Sequence, residues 1–141
     1  MTVYADTSFL VSLYVPDRHS SEAERRLGAR PLVWFTSLHR AEWTHAIYQH
    51  VFQQKMSASQ AQRVLRALEG DLARGLWLQS EVPEDAFQGC VELARQHCSR
   101  LGVRTLDSLH VAAALELKAE RFWTFDERQA KLAHLAGLKT V

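Results

Sequence analysis

The feature that most constrains the fold of this sequence is an alternation of short apolar runs with longer amphipathic stretches. The short runs are rich in β-branched or aromatic residues and too short for core helices; they cover residues 3–5, 32–35, 76–78 and 122–125, with 138–141 as a possible fifth. Between them, apolar residues recur at helical spacing, as in Val64, Leu68 and Leu72. The alternation predicts an α/β fold, with a mostly parallel sheet of four to five strands covered by helices on both faces.

The size and composition of the chain are those of one folded domain. The 141 residues, 47% apolar and 23% charged, can bury a core without disulfides, so we expect a single domain over residues 1–141. The longest apolar run, residues 111–115, is far short of the roughly 20 residues that cross a bilayer, and no signal-peptide pattern is present. We therefore expect a cytoplasmic protein without a membrane partner. With a net charge of only +1, nucleic-acid binding would require a local basic patch.

Acidic residues occupy the positions where an α/β fold binds its ligands, which is the carboxyl edge of the sheet. Asp6 directly follows the first predicted strand, and Asp126 follows the strand that ends in Thr124-Phe125. Asp107 falls in the first turn of a predicted helix, and Glu42 lies early in the helix after residues 32–35. Taken singly, each acid is also typical of a helix cap, a first-turn acid or a solvated helix face. Taken together, they predict one acidic pocket.

Converging carboxylates require neutralisation. Two unit charges about 4 Å apart repel by about 4 kcal/mol at an effective dielectric constant of about 20. Either some of the carboxyl groups take up protons, with raised pKa values, or cations lie between them. Ligand sets made only of oxygen favour hard ions such as Mg²⁺ or Mn²⁺, and such ions promote displacement at phosphorus.

These residues resemble the PIN-domain nucleases, and among them the VapC-type toxins of bacterial toxin–antitoxin pairs. The resemblance spans the chain and rests, in order, on Asp6-Thr7-Ser8, the helical Glu42, the helix Asp107-Ser108-Leu109-His110-Val111-Ala112-Ala113-Ala114, and Thr124-Phe125-Asp126. It implies a PIN-like three-layer α/β/α fold and an endoribonuclease that requires Mg²⁺ or Mn²⁺. It also implies a homodimer and a protein antitoxin partner.

The resemblance also assigns roles to individual residues. Asp6, Asp107 and Asp126 match the family's metal-binding acids, and Glu42 matches a fourth acid that is a ligand or a base that orients water. All four are candidate catalytic residues. Hydroxyl side chains at the matching neighbouring positions are expected to hold the carboxylates or water by hydrogen bonds; they are Thr7, Ser8 and Thr124.

Two further residues are candidates for substrate contact. Arg104 lies three residues before Asp107, which places a phosphate-binding side chain close to the predicted site. His110 follows Asp107 by one helical turn, where it either touches substrate or packs in the core.

Three other interpretations fit parts of this pattern. Glu42 and His45 have the Glu-x-x-His spacing of di-iron bundles, but those all-helical proteins need the motif twice. A phosphotransfer domain of the haloacid-dehalogenase kind needs a second acid two residues after the first, and Ser8 stands there. A non-catalytic RNA- or protein-binding module on the same fold remains the alternative function, although the full set of acids argues against it.

Overall fold

Four parallel strands form one sheet in the computed structural model, which describes residues 1–141. The strands are β1 (Thr2–Ala5), β2 (Leu32–Thr36), β3 (Leu78–Ser80) and β4 (Arg121–Trp123). Their order in the sheet is β3-β2-β1-β4, so β1 lies in the interior between β2 and β4. Since all three strand pairs are parallel, every strand ends at the same edge of the sheet, as the sequence predicted.

Helices connect the strands and cover both faces of the sheet. They are α1 (Thr7–Tyr14), α2 (Ser20–Leu27), α3 (Ser37–Phe52), α4 (Ala58–Ala73), α5 (Asp85–Leu93), α6 (Ser99–Leu101), α7 (Thr105–Glu116) and α8 (Glu127–Leu135), with a π-helical segment, Ala94–Cys98, between α5 and α6. None of these helices is both long and apolar enough to cross a lipid bilayer.

The core is divided by the sheet into two layers, which follow from the alternation of side chains along β1. Val3 and Ala5 join an apolar cluster with residues of α1, α3 and α4, including Trp43. Tyr4 points the other way, into a cluster with residues of α5, α7 and α8 that includes Leu132. The predicted three-layer α/β/α arrangement is therefore confirmed.

Helix α7 approaches α5 closely at Ala112, one of the small residues on its buried side. All residues from Ser108 to Ala114 are buried. A Cβ atom added to Gly89 of α5 would lie 3.4 Å from the Cβ of Ala112, so the two helices meet where neither has a large side chain. This packing fixes the start of α7, including Asp107, relative to the sheet.

The largest differences from the predicted strands are in β3, in β4 and in the possible fifth strand. Strand β3 begins at Leu78. Trp77, which precedes it, lies outside the strand, and its side chain is buried in the core, where its indole N–H donates to the Tyr14 hydroxyl at 3.0 Å. Strand β4 ends at Trp123, because the Thr124 hydroxyl turns to hydrogen-bond Asp6. Residues 138–141 form no fifth strand; Lys139 makes a single parallel bridge to Arg121.

Helix α3 begins with a capping box in which a histidine takes the place of the usual Glu or Gln. Thr36 donates its backbone N–H to Nδ1 of His39 at 2.9 Å, so this nitrogen is an acceptor and the ring proton lies on Nε2. Nε2 donates to the carbonyl of Ala5 at 2.7 Å and ties α3 to the end of β1. Burial, together with the nearby His110, lowers the pKa of His39 to about 3, although the hydrogen bond to Ala5 acts in the opposite direction. The fully buried ring is thus neutral.

This buried histidine predicts an acid-sensitive fold. Below a pH of about 6.5 the unfolded chain protonates His39 while the folded chain does not, so stability falls by up to about 1.4 kcal/mol per pH unit between pH of about 6.5 and about 3. In urea denaturation, His39→Leu should lower stability at neutral pH, because the hydrogen bonds of the ring with Thr36 and Ala5 are lost. The same variant should lose less stability than the wild type on acidification. Parallel pH profiles for the two proteins would contradict this assignment.

Candidate functional site

Hydrogen bonds to both the backbone and the side chain of Asp6 hold this residue at the end of β1. Its backbone N–H donates to the carbonyl of Trp123 at 3.0 Å, which continues the pairing with β4. Its carboxylate caps α1 by accepting the Phe9 N–H at 2.9 Å. The Thr124 hydroxyl donates at 2.8 Å, and the Ser8 hydroxyl lies 3.0 Å from both carboxylate oxygens. The hydroxyl contacts predicted for Ser8 and Thr124 are therefore present in the structure.

The carboxyl group of Asp6 is only 7% exposed. Burial raises its pKa above the ordinary value, against the opposing effect of its hydrogen bonds and of the nearby His110. A desolvated carboxylate of this kind gains from a nearby cation as well as from a proton.

Glu42 projects from α3 toward the start of α1. Its Oε1 atom accepts a hydrogen bond from the Thr7 hydroxyl at 2.7 Å and contacts Nε2 of His110. Burial alone would raise the pKa of Glu42, but the hydrogen bond and charge of His110, together with Thr7, outweigh it and hold the pKa below the ordinary value. Both contacts fall on Oε1, so Oε2 keeps its lone pairs free.

Asp107 and Asp126 line a second part of the same edge. Asp126 caps α8 by accepting the backbone N–H groups of Arg128 and Gln129 at 2.9 and 3.0 Å. Asp107 lies in the first turn of α7, and its side chain is 28% exposed. The two acids face a cleft of about 360 Å³ whose lining residues are Gly102, Val103, Arg104, Asp107, Asp126 and Arg128.

Hydrogen bonds link the acids along the edge. Thr124 donates to Asp6 and accepts the backbone N–H of Asp126 at 3.0 Å. Gln129, whose N–H is bound by Asp126, donates its side-chain amide to the carbonyl of Asp107 at 3.3 Å. Glu42 joins at the other end through Thr7, the neighbour of Asp6.

The structure brings the four acids to one edge without closing them into a cage. No three His, Cys, Asp or Glu side chains converge at metal-binding distances. The donor set nevertheless fits a hard divalent cation, because it consists of carboxylate oxygens and several of these accept no hydrogen bond. The carboxylate of Asp107 has one ion-pair partner, Arg104, whose Nε atom lies 3.8 Å from Oδ2. In Asp126 the hydrogen bonds fall on Oδ1 alone.

The two candidate substrate residues lie in different environments. Arg104 has a side chain that is 89% exposed and lines the cleft beside Asp107. His110 is 2% exposed, and its Nδ1 lies 2.7 Å from the Tyr4 hydroxyl. The sequence left open whether His110 contacts substrate or packs in the core, and in the structure its side chain is buried in the core.

Two residues of the site were missed by the sequence analysis. Gln129 is buried and connects Asp107 with Asp126, and Arg128 adds a second cation to the cleft. A signal for Gln129 was present: Asp126 with Gln129 three residues later has the spacing of a capping box. Arg128 could have been found from its position two residues after Asp126.

A family model described as the PIN domain matches residues 3–135 of the chain. Among curated proteins, none matches the chain in sequence. Three solved structures with a similar fold are distant from the chain in sequence. VapC20 of Mycobacterium tuberculosis, described as a sarcin-ricin loop cleaving toxin, has a TM-score of 0.68 at 18% identity and covers 99% of this chain and 98% of its own.

Two other similar structures come from complexes. A toxin–antitoxin complex from Klebsiella pneumoniae has a TM-score of 0.65 at 18% identity, with 99% of this chain and 95% of that chain covered. VapBC2 from Rickettsia felis, bound to a DNA fragment from its promoter, has a TM-score of 0.65 at 18% identity, with 100% and 98% covered. At this level of identity the likeness concerns the fold.

The environment of Asp6 predicts opposite effects of two substitutions. Asp6→Asn keeps an acceptor for the Phe9 N–H and removes a desolvated charge, so its stability at pH 7 should equal or exceed that of the wild type. Asp6→Ala loses the cap, which should cost about 0.5–2 kcal/mol. The raised pKa means that folded Asp6 binds its proton more tightly than unfolded Asp6 does. The free energy of unfolding of the wild type should therefore rise relative to that of Asp6→Asn as the pH falls toward about 4. Urea denaturation measures all three; equal losses in both variants would contradict this account of the site.

Proposed function

The chain belongs to the PIN domain family, and on that premise we propose that it is a divalent-metal-dependent endoribonuclease that hydrolyses RNA phosphodiester bonds. The observation that carries the proposal is that Asp6, Glu42, Asp107 and Asp126 lie along one edge of the sheet, where hydrogen bonds of Thr7, Thr124 and Gln129 hold them. Their carboxylates suit Mg²⁺ or Mn²⁺, with Asp6, Asp107 and Asp126 as ligands and Glu42 as a ligand or a base.

In the proposed reaction, the protein residues bind the substrate, orient its attacking water and hold the acids in place. Arg104 and Arg128 flank the cleft beside Asp107 and Asp126 and can bind phosphate oxygens. A bound divalent ion would lower the pKa of a water molecule bound to it and would stabilise the charge that develops on the phosphate. Water adds to phosphorus, the ester bond to the leaving ribose oxygen breaks, and that oxygen receives a proton from solvent water. Glu42, with Oε2 free, is placed to take the proton lost by the water.

We further propose that the chain is the toxin of a toxin–antitoxin pair and that it acts as a cytoplasmic homodimer. The support is the similarity in fold to VapC20 and to the two toxin–antitoxin complexes. Exposed apolar side chains on α3, chiefly Tyr48 and Phe52, offer a surface for a partner, since Phe52 is 85% exposed.

The nuclease proposal predicts that purified protein cleaves RNA with Mg²⁺ or Mn²⁺ and stops when EDTA is added. Loss of a residue that only hydrogen-bonds a metal ligand typically lowers activity by about 10–100-fold, so loss of the ligand itself in Asp6→Asn should lower cleavage by more than about 100-fold. Glu116→Gln, at the exposed far end of α7, is the matched control and should cleave normally. Circular dichroism checks that both variants are folded. Cleavage by Asp6→Asn at the wild-type rate would refute the four-acid site, and RNA binding without cleavage by the wild type would favour a binding module.

The toxin proposal predicts that expression of the wild-type chain arrests bacterial growth. Asp6→Asn should relieve the arrest at equal protein levels, because the arrest depends on RNA cleavage. Co-expression of the product of a small adjoining reading frame should relieve it in the wild type, with the two proteins copurifying. Normal growth on expression, with no adjoining reading frame, would point to a housekeeping nuclease.

A further inference from the structure

His110 is the most buried ionisable group in contact with the proposed catalytic acids. It reaches from α7 into the space between β1 and α3, where three polar groups surround its ring. The Tyr4 hydroxyl lies 2.7 Å from Nδ1, and the Thr7 hydroxyl lies 3.3 Å from Nε2. Oε1 of Glu42 also contacts Nε2.

The partners of the ring define which nitrogen carries a proton. An ionised carboxylate only accepts hydrogen bonds, so Nε2 of His110 donates to Glu42. A hydroxyl can both donate and accept, so the Tyr4 hydroxyl makes the contact with Nδ1 whether or not that nitrogen carries a proton, and the donation from Nε2 to Glu42 is the same in both cases. Tyr4 is itself fixed within β1, so the ring is anchored to the strand that ends at Asp6.

We propose that His110 is a positioning residue for Glu42. With Thr7, it holds Oε1 of Glu42 and thereby leaves Oε2 as the oxygen available to a cation or to water. A partly exposed glutamate on a helix otherwise samples several rotamers, and fixing one of them preorganises the site. The consequence for RNA cleavage rests on the proposed function, whereas the contact between His110 and Glu42 does not.

Packing needs alone do not account for a histidine at this position. Its neighbours on α7, Leu109, Val111 and Ala112, are apolar and buried, and a residue such as Met would fill similar space. The ring gives α7 something that an apolar side chain lacks, which is a hydrogen bond to an acid on another helix. Helix α7 thus carries one acid of the site, Asp107, and orients a second one, Glu42, from the next turn.

The first experiment is a cycle of variants measured by Mn²⁺ binding in isothermal titration calorimetry. His110→Met should weaken Mn²⁺ binding by about 10–100-fold, as loss of an outer-shell partner typically does. His110→Gln, whose amide can still donate near the position of Nε2, should recover much of that loss. In a Glu42→Gln background, adding His110→Met should change the Mn²⁺ Kd by no more than about twofold, because a residue that acts through Glu42 has nothing left to position. His134→Met, an exposed histidine on α8, is the matched control and should bind as the wild type does.

The second experiment requires neither metal nor RNA, so it separates this inference from the proposed function. Proton NMR of the wild type should show a downfield Nε2–H signal of His110 that moves or disappears in Glu42→Gln. An unchanged signal, an unchanged Mn²⁺ Kd in His110→Met, or an equal loss in both backgrounds would overturn the inference. If the wild type bound no Mn²⁺ or cut no RNA, the proposed function would fail and the NMR result would still decide the role of His110. The same signal decides it if His110→Met does not fold.

Discussion

The parallel pairing of β1 between β2 and β4 is the constraint on which the rest of the structure depends. Because all strands end at one edge, the residue that follows β1 lies beside the residues that follow β4. This places Asp6 within reach of Thr124, although 118 residues separate them in sequence. The helices that start at this edge then direct their first backbone N–H groups toward the acids, as α1 does at Asp6 and α8 at Asp126.

Hydrogen bonding makes it possible to hold negative charge at a partly buried edge. Thr7, Ser8 and Thr124 each donate a hydroxyl to a carboxylate of the site. Asp6 and Glu42 illustrate two outcomes of the same competition: burial dominates and raises the pKa of Asp6, while the contacts of Glu42 with His110 and Thr7 outweigh burial and lower its pKa. The site therefore combines one carboxyl group that gains from neutralisation with another that is stabilised as an anion.

Much of the fold and part of the site followed from local sequence patterns. The positions of the acids at the ends of β1 and β4 and at the start of α7 were predictable because they depend on where elements begin and end. The exact end of β4 was not, since Thr124 leaves the sheet to bind Asp6, a partner distant in sequence. Gln129 and Arg128 were missed for the same reason: their roles depend on α7 and α8 meeting beside the cleft.

By itself the sequence determined the alternation of strands and helices and, through it, the edge at which Asp6, Asp107 and Asp126 gather. These are consequences of periodicity and of short-range geometry. Only the tertiary structure decided that Glu42 belongs with His110, 68 residues away, and that His39 links α3 to β1. Such pairs form because helices that are far apart in sequence pack beside the end of the same strand, β1, and no spacing along the chain encodes that meeting.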